Sequence, residues 1–388
     1  MIWDSGDGDL RAWPIPGTLK PLHGANPPRG QVLMSMFLLD GTPMTSDPRH
    51  ALKRQVDAFA ARGLHPAGAF ELEFFLLAND RDGEGRVQPA RAVIDGRTSG
   101  KTEVYSVDHL HGMEPLFSDI YKAAEAQGIP AETVISEYAP GQYGLTLNYR
   151  NDILRAADDL LMLKRLVRMQ ARRHGVTACF MAKPIERYAG SGRHLHVSRC
   201  DVDGDNVFVE EREGEWNPLL LHALGGLSAT MAESMLVFAP HANSWRRFVS
   251  QSYAPVAPTW GVNNRSVALR VPAGARKARR IEHRPSGVDA NPYLVAATVL
   301  AGIAKGLDEK LDPGPEITGN GYETSTGTAS SMPADWLSAI IAAEGSSFLR
   351  QALGEDMHRT FTAIKRAEYL RVARTVSELD YHLYMHEV

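Results

Sequence analysis

The segment GAFELEFFLL, residues 68–77, has the clearest alternation of apolar and polar positions in the chain. Phe70, Leu72 and Phe74 fall on one side of an extended strand, whereas Glu71 and Glu73 fall on the other. Successive side chains of a strand point to opposite faces, so we predict a strand that presents two carboxylates on a surface backed by the core. For this pair alone, a solvated face of an edge strand and a functional surface are both open interpretations.

A second alternating segment, HLHVSRC, carries imidazoles. His194, His196 and Ser198 share one side of the predicted strand, and Leu195 and Val197 share the other. Two imidazoles presented together suit a metal or a phosphate group, but they are equally compatible with polar decoration of a surface.

Charged positions recur in two further segments, RRIEHR and NNRSVALRVP. Arg280, Glu282 and Arg284 alternate with apolar or aromatic neighbours, and alone they would be interpreted as a surface ion-pair ladder. Arg265 and Arg270 are five residues apart and would face opposite ways on a regular strand. One of them is therefore expected in the preceding loop or beside a bulge.

Helix signals surround these strands. Asp47 as N-cap, Pro48 at the first helical position and Gly63 as a stop delimit one helix. The longest amphipathic candidates are 151–174, 217–238, 291–311 and 334–378, the last broken near Gly354. The short strand candidate QVLMSMFLL lies within residues 1–46, which are rich in Gly, Pro and Asp.

The order of these elements predicts the fold class. Strands cluster between helices and do not alternate strictly with them, which is typical of an α+β fold with an antiparallel sheet. We predict two domains, a partial N-terminal domain over residues 1–46 and a large domain over residues 47–388.

Composition narrows the functional classes. The chain has 388 residues, with 42 Lys and Arg against 46 Asp and Glu, and this mild negative charge disfavours a nucleic-acid partner. Two cysteines, Cys179 and Cys200, are too few for a disulfide framework. There is no apolar run of the kind that crosses a membrane and no leader-like start. We expect a cytoplasmic enzyme without membrane partners.

The charged positions suggest a shared chemistry when they are taken together. Carboxylates with one or two histidines suit Mg²⁺ or Mn²⁺, and arginine forks stabilise phosphoryl oxygens. Glu137, in the segment VISEYAPGQYG, adds a further acid, although a lone acid before a Pro-Gly turn is usually solvated. These features point to ATP chemistry, and the absence of a P-loop or a Rossmann glycine motif excludes the two commonest nucleotide sites.

Six segments, in this order, resemble the successive motifs of the glutamine synthetase superfamily. They are ELEFF, SEYAPGQY, GSGRHLHVS, NSWRRFV, YAPVAPTWGVNNRSVALRVP and ARRIEHRPSGVDANPYL. The resemblance runs from about Trp3 to the end of the chain. It implies a small N-terminal β-grasp domain, here truncated, and a large catalytic domain, assembled as a homo-oligomeric double ring with active sites between neighbouring subunits.

The resemblance also implies roles for individual residues. The metal that holds the phosphates of ATP would be bound by Glu71, His194 and Glu282. A second metal, beside the substrate carboxylate, would be bound by Glu73 and Glu137. Glutamate would be held by Gly190, Arg247 and Arg284. The transferring phosphoryl group would be held and neutralised by Arg265 and Arg270, with Arg265, Arg270 and Arg284 acting in catalysis, and the nucleotide would contact His196, Ser198, Arg270 and Lys277.

The chemistry implied is the attack of the glutamate γ-carboxylate on the γ-phosphate of ATP, followed by displacement of phosphate by an amine. Ammonia-using members carry a flap glutamate that binds ammonium, and this chain has Tyr253 there. An aromatic residue at that position suits a larger organic amine, so the sequence is most similar to the γ-glutamylpolyamine synthetase branch of γ-glutamyl-amine ligases. Arg265 and Tyr253 would then both line the substrate site.

Two departures from the family pattern leave alternatives open. Gly144 stands where the family places a third carboxylate for the substrate-side metal, and the N-terminus is short. An ammonia-dependent glutamine synthetase is one alternative. A catalytically impaired binding or regulatory protein is another, because function depends on the site and not on the fold.

Overall fold

A computed structural model describes residues 8–210, 212, 215–249, 251–324 and 332–387. Trp3, where the family resemblance begins, lies outside these residues. Within them a nine-stranded sheet forms the centre of the molecule. Its strands are β5 (His65–Arg81), β6 (Val87–Pro89), β7 (Ala131–Ser136), β8 (Gln142–Leu147), β9 (Val176–Cys179), β10 (Leu195–Cys200), β11 (Trp260–Val262), β12 (Leu269–Val271) and β13 (Ile281–His283).

The sheet runs in the order β11-β12-β13-β10-β5-β8-β7, and β6 and β9 pair with the far end of the long strand β5. All of its pairings are antiparallel except the parallel pair β11 and β12. The α+β class and the antiparallel character predicted from the sequence are therefore confirmed.

Two small sheets precede the central one. β1 (Arg11–Pro14) pairs with β4 (Met34–Phe37), and β2 (Lys20–Pro21) pairs with β3 (Gly30–Gln31). The single strand expected over 31–39 is wrong, because the chain changes partner at residues 32–33, where Ile15 N donates to Leu33 O. The assignment of residues 1–46 to a partial β-grasp domain stays a prediction.

Twelve α-helices in the described residues pack around the sheet. They are α1 (Pro48–Ala60), α2 (Val107–His111), α3 (Glu114–Ala126), α4 (Ile153–Arg173), α5 (Pro218–Phe238), α6 (Ala242–Trp245), α7 (Pro292–Glu309), α8 (Gly321–Thr324), α9 (Trp336–Gly345), α10 (Ser347–Leu353), α11 (Glu355–Ala373) and α12 (Glu378–Tyr384). As predicted, α1 starts at Pro48, where Asp47 accepts from Arg49 N, and Gly354 breaks the last helical region.

That last region contains more breaks than the sequence pattern indicated. Ser346 ends α9 and caps α10, with its Oγ accepting from Leu349 N. Residues 374–377 separate α11 from α12. A serine that satisfies the free amides of a new helix start outweighs continuous helical periodicity, and this kind of boundary is not visible in the hydrophobic pattern.

Helices α5 and α7 form the core layer behind the sheet. They cross so closely that a Cβ atom on Gly226 would collide with the main chain of Gly302 and Gly306. By length and composition α5 could cross a membrane, but two thirds of its most apolar stretch is buried inside the fold (67%). This burial is what a core helix requires.

Strand β5 separates the core from the site. Phe70, Leu72 and Phe74 are fully buried against the helices (0% exposed), while Glu71 and Glu73 lie on the opposite face. The alternation predicted from GAFELEFFLL is confirmed, and the acids fall on a partly buried surface near the middle of the sheet.

Candidate active site

The register of the central strands brings the predicted polar residues together. His196 of β10 lies opposite Glu282 of β13, and Glu282 lies opposite Arg270 of β12. On the other side of β5, Glu73 lies opposite Gly144 of β8. Because these strands are neighbours and the residues face the same way, segments that are more than two hundred positions apart, such as those of Glu73 and Glu282, form one charged surface.

Glu71, His194 and Glu282 meet at one point. One ligand atom from each lies within 4.8 Å of the others. In the part of the chain that the structure describes, this is the one group of at least three acidic, histidine or cysteine side chains close enough to share a metal ion. His194 Nδ1 is 2.9 Å from Glu71 Oε2 and 3.3 Å from Glu282 Oε1. Two carboxylates and an imidazole form the donor set that Mg²⁺ or Mn²⁺ accepts, so these residues fit the metal that the resemblance implies.

A second imidazole supports Glu71. His196 Nε2 lies 2.7 Å from Glu71 Oε1, and Arg280 Nε donates to His196 Nδ1 at 3.1 Å. Burial opposes ionisation of Glu71, but the two histidines hold the pKa of its carboxyl well below its usual range. Glu71 is therefore ionised and ready to bind a cation at neutral pH.

Glu282 is the centre of the charge network. Its side chain is almost fully buried (1% exposed) and accepts from Arg284 Nη1 at 2.5 Å and from Arg270 Nη1 at 2.7 Å. Burial opposes ionisation, but His194 and Arg284 lower the pKa of Glu282 to about 2. The segment RRIEHR thus forms a buried ion-pair cluster and not the surface ladder that it would suggest alone.

The other half of the surface holds Glu73 and Glu137. Glu73 Oε2 accepts from Gly192 N at 2.6 Å. Glu137 is partly buried, and burial together with the nearby Glu73 and Glu71 raises the pKa of its carboxyl to about 8. These two acids lie close enough to repel each other, so a cation between them would relieve that repulsion.

Gly144 has a direct structural relation to Glu137. A Cβ atom on Gly144 would collide with Glu137 Oε1. The Glu137 carboxyl therefore occupies the space into which a side chain at position 144 would project.

Arg247 and Gly190 form a buried corner beside this pair. Arg247 is 5% exposed, and it donates to Pro285 O at 2.8 Å and to Arg284 O at 3.2 Å. Burial lowers the pKa of its guanidinium, and Glu73 opposes that shift. A Cβ on Gly190 would lie 2.7 Å from Arg247 Cγ, so a glycine is needed for the close approach.

The predicted arginines Arg265 and Arg270 lie in different elements, as their spacing required. Arg270 is in β12 and also donates to Asn263 Oδ1 at 2.6 Å. Arg265 is exposed in the turn before β12, where its charge lowers the pKa of Glu137. Arg265 therefore faces the site from its open side.

Tyr253 lies on a flap, which we define as residues 251–258. Its side chain is 58% exposed, its φ is 59°, and its carbonyl accepts from Arg284 Nη2 at 3.4 Å. The backbone of the flap is thus held against the arginine cluster while the ring remains accessible.

The predicted nucleotide residues are spread more widely. His196 and Ser198 share a face of β10, beside Glu71. Lys277 is exposed on a 3-10 turn, Arg276–Ala278, where its carbonyl accepts from Asn206 Nδ2 at 3.2 Å. Lys277 thus lies on a separate loop, and its role stays a prediction.

Two residues of the site were not assigned roles from the sequence. Arg280 orients His196, and its place in the RRIEHR alternation was a usable signal. Tyr322, in α8, donates its hydroxyl to Ala254 O of the flap at 3.0 Å. Nothing in the local pattern around Tyr322 indicates this contact, because it depends on the loop geometry.

Comparison with known proteins places this geometry in a family. The family described as glutamine synthetase, catalytic domain, matches residues 45–384. The chain is 41% identical to γ-glutamylputrescine synthetase PuuA of Escherichia coli (strain K12), over 97% of this chain and 79% of that protein. It is 34% identical to glutamate–isopropylamine ligase of a Pseudomonas species, over 83% and 70%.

A solved structure of GmaS with ADP has a similar fold. It superposes with a TM-score of 0.87 at 29% identity, covering 99% of this chain and 87% of that one. The resemblance drawn from the sequence motifs, including its γ-glutamyl-amine ligase branch, is confirmed. The chain belongs to the glutamine synthetase family of ATP-dependent carbon–nitrogen ligases.

Proposed function

We propose that this protein joins the γ-carboxylate of glutamate to an organic amine, using ATP. The observation that carries the proposal is the Glu282 network, in which one buried carboxylate contacts His194, Arg270 and Arg284. Such a network supplies cation ligands and phosphoryl-binding arginines in one place, as phosphoryl transfer to a carboxylate requires. Relatives named for joining glutamate to putrescine-type and alkyl amines support it.

Glu71, His194 and Glu282 would hold a divalent cation, Mg²⁺ or Mn²⁺, and Glu73 with Glu137 would hold a second. A cation bound there supplies positive charge to the phosphate oxygens and to the substrate carboxylate. His196 would remain a support for Glu71, because it already binds that carboxylate. His196, Ser198 and Lys277 are the residues that we propose contact the nucleotide.

The arginines would act directly on the reacting groups. Arg247 and Arg284, with the main chain at Gly190, would hold the glutamate in place. Arg265 and Arg270 would neutralise the charge on the transferring phosphoryl group, which favours arginine because its fork matches two phosphate oxygens. Arg265 reaches the site from an exposed turn and is therefore free to adjust its position.

The acceptor would be an organic amine and not ammonia. Tyr253 presents an exposed aromatic ring where ammonia-using members have a carboxylate, and a ring can pack against the carbon skeleton of an amine or face its ammonium group. The acyl phosphate formed in the first step hydrolyses readily, so the flap that carries Tyr253 would also exclude water.

Purified protein with Mg²⁺ or Mn²⁺, ATP and glutamate tests the proposal. Putrescine, isopropylamine, ethanolamine and ammonium chloride are supplied in parallel, and both phosphate and the γ-glutamyl product are measured. We expect both to depend on an organic amine. The Glu282→Gln variant serves as the inactive control, and Arg172→Met, on the exposed side of α4, serves as a control for surface substitution.

Two outcomes favour the alternatives. Ammonium as the best acceptor would identify an ammonia-dependent glutamine synthetase. Binding of nucleotide without product from any amine would identify a catalytically impaired protein, and the lack of a carboxylate at Gly144 would be the structural reason.

We further propose that the protein forms a homo-oligomeric double ring in the cytoplasm. The cysteines Cys179 and Cys200 are both free, which supports a reducing compartment.

A further inference from the structure

Tyr322 lies at the point where two loops of the site meet. Its hydroxyl donates to Ala254 O at 3.0 Å. Burial raises the pKa of this hydroxyl, and the charges of Arg284 and Arg247 oppose that shift. The side chain of Tyr322 is half-buried, it feels the charges of the two arginines that we propose hold glutamate, and it contacts the main chain next to Tyr253.

The segment before Tyr322 is fastened to the loop that carries Arg265. We call residues 317–322 the strap. Asn264 Nδ2 donates to Ile317 O and to Gly319 O, both at 2.9 Å, and Gly321 N donates to Ser266 Oγ at 2.8 Å. Three hydrogen bonds thus hold the strap to the residues on either side of Arg265.

Close packing reinforces this attachment. A Cβ on Gly321 would lie 2.9 Å from Ser266 O, so the strap lies against the loop with no room for a side chain at that position. Ser266 Oγ itself donates to Asn264 Oδ1 at 2.6 Å. The strap therefore moves with the Arg265 loop, and a contact from the strap to the flap joins the flap to that loop.

The flap has other attachments to the protein, among them Ser252 Oγ, which donates to Arg247 O at 3.1 Å. Tyr253 O accepts from Arg284 Nη2 at the long distance of 3.4 Å, and Pro258 O accepts from Ser228 Oγ at 2.5 Å. The end near Pro258 is thus fixed to α5. Near Tyr253 the flap is held by Ser252, by one long hydrogen bond from Arg284 and by the Tyr322 hydroxyl, which is the donor to Ala254 O. Removal of the Tyr322 hydroxyl would weaken the end of the flap that faces the acceptor amine.

We propose that Tyr322 is a positioning residue that ties the flap to the Arg265 loop, so that the amine site and the phosphoryl site keep a fixed separation. The inference rests on the proposed function for its catalytic consequence. A loosened flap would hold the amine less well and admit water to the acyl phosphate. We expect the binding of ATP and glutamate to be unchanged, because the contact that loss of the hydroxyl removes is the hydrogen bond to Ala254 O of the flap.

Tyr322→Phe tests the inference, because it keeps the ring and removes only the hydroxyl. Tyr121→Phe is the matched control, since Tyr121 in α3 also donates its hydroxyl to a backbone carbonyl, Glu132 O at 3.5 Å. Amide hydrogen exchange of the flap is measured first. We expect flap amides near Ala254 to exchange about fivefold faster in Tyr322→Phe, the factor for one neutral hydrogen bond, and to be unchanged in Tyr121→Phe.

Steady-state kinetics provide the second measurement. We expect the KM for the amine to rise about fivefold while the KM for glutamate stays the same, and the phosphate released per γ-glutamyl product to rise above one. A merely structural role would lower kcat without this difference between the two KM values.

Unchanged hydrogen exchange of the flap overturns the inference whether or not the wild type turns over. Faster exchange with an unchanged KM for the amine and an unchanged ratio of phosphate to product overturns the catalytic role. Inactivity of the wild type with every amine refutes the proposed function alone. The exchange data then show whether Tyr322 holds the flap to the Arg265 loop.

Discussion

Arg193 precedes His194, which we propose as a cation ligand, and its guanidinium is buried with few hydrogen-bond partners. Its side chain is 0% exposed, and its Nη1 donates to Ala290 O at 2.6 Å. Among the residues that the structure describes, its Nε and Nη2 have no hydrogen-bond partner. The guanidinium lies 5.7 Å from the Phe70 ring, and burial lowers its pKa while the charge of Asp289 only partly opposes that shift. We predict that Arg193→Met stabilises the protein.

The magnitude follows from opposing contributions. An unsatisfied buried polar group costs about 1–3 kcal/mol, and more when it is charged. Removing Arg193 also leaves Ala290 O without its donor, which costs about 1 kcal/mol, and a flexible methionine fills the remaining space. A net gain of about 1–2 kcal/mol is expected, equivalent to about 1–3 °C in Tm for a chain of this length.

The gain should depend on pH through Lys164. Burial, followed by the charges of Arg193 and Arg168, lowers the pKa of Lys164 to about 7. Between pH 7 and the unfolded pKa near 10.5, the unfolded state binds more protons at this group, so stability rises with pH in this window. Arg193→Met removes one cause of the lowered pKa. Its advantage should therefore be largest near pH 7 and smaller near pH 9.5.

Urea unfolding followed by circular dichroism, at pH 7 and pH 9.5 with EDTA, measures both effects. Arg172→Met is the control, because Arg172 is exposed on α4, and it should change stability by less than about 0.5 kcal/mol. Destabilisation of Arg193→Met by more than about 1 kcal/mol would refute the reasoning, since it would mean that the guanidinium has stabilising partners.

Three further substitutions test the site. Glu282→Gln should weaken Mn²⁺ binding about 10–100-fold, measured by titration calorimetry; unchanged affinity would contradict the role of Glu282. Gly144→Glu should lower Tm in EDTA, because it pushes Glu137 aside and adds a carboxylate near Glu73, and Mn²⁺ should restore more Tm than in the wild type; equal Mn²⁺ responses would argue against a second cation site. Tyr253→Glu should lower the KM for ammonium and reduce activity with organic amines, and unchanged acceptor preference in competition assays would exclude Tyr253 from the amine site.

The sequence predicted those structural features that depend on residues close together along the chain. The alternation around Glu71 and Glu73 placed both acids on one face, and Asp47 with Pro48 marked the start of α1, as the structure shows. Helices over 153–173, 218–238 and 292–309 agree with the predicted ranges to within two residues. Local periodicity and capping residues determine strand faces and helix boundaries, so these features can be predicted from a single sequence.

Features that depend on distant contacts were not predictable in the same way. The strand over 31–39 is divided because its two halves have different partners, β2 and β1. Glu282 was expected at a surface if its segment stood alone, yet its contacts with Arg270 and His194 bury it. The Tyr322 contact with the flap likewise depends on how two loops approach each other.

The sheet register separates the two halves of the site. The cluster of Glu71, His194 and Glu282 depends on β5, β10 and β13, and Glu71 lies opposite Thr146 on β8. Gly144 lies opposite Glu73, two positions further along. The absence of a carboxylate at position 144 therefore bears on the Glu73 side of the surface and leaves the cluster of Glu71, His194 and Glu282 unchanged. We therefore expect nucleotide binding and turnover to respond to different substitutions in this chain, those near Glu282 changing nucleotide binding and those near Glu73 changing turnover.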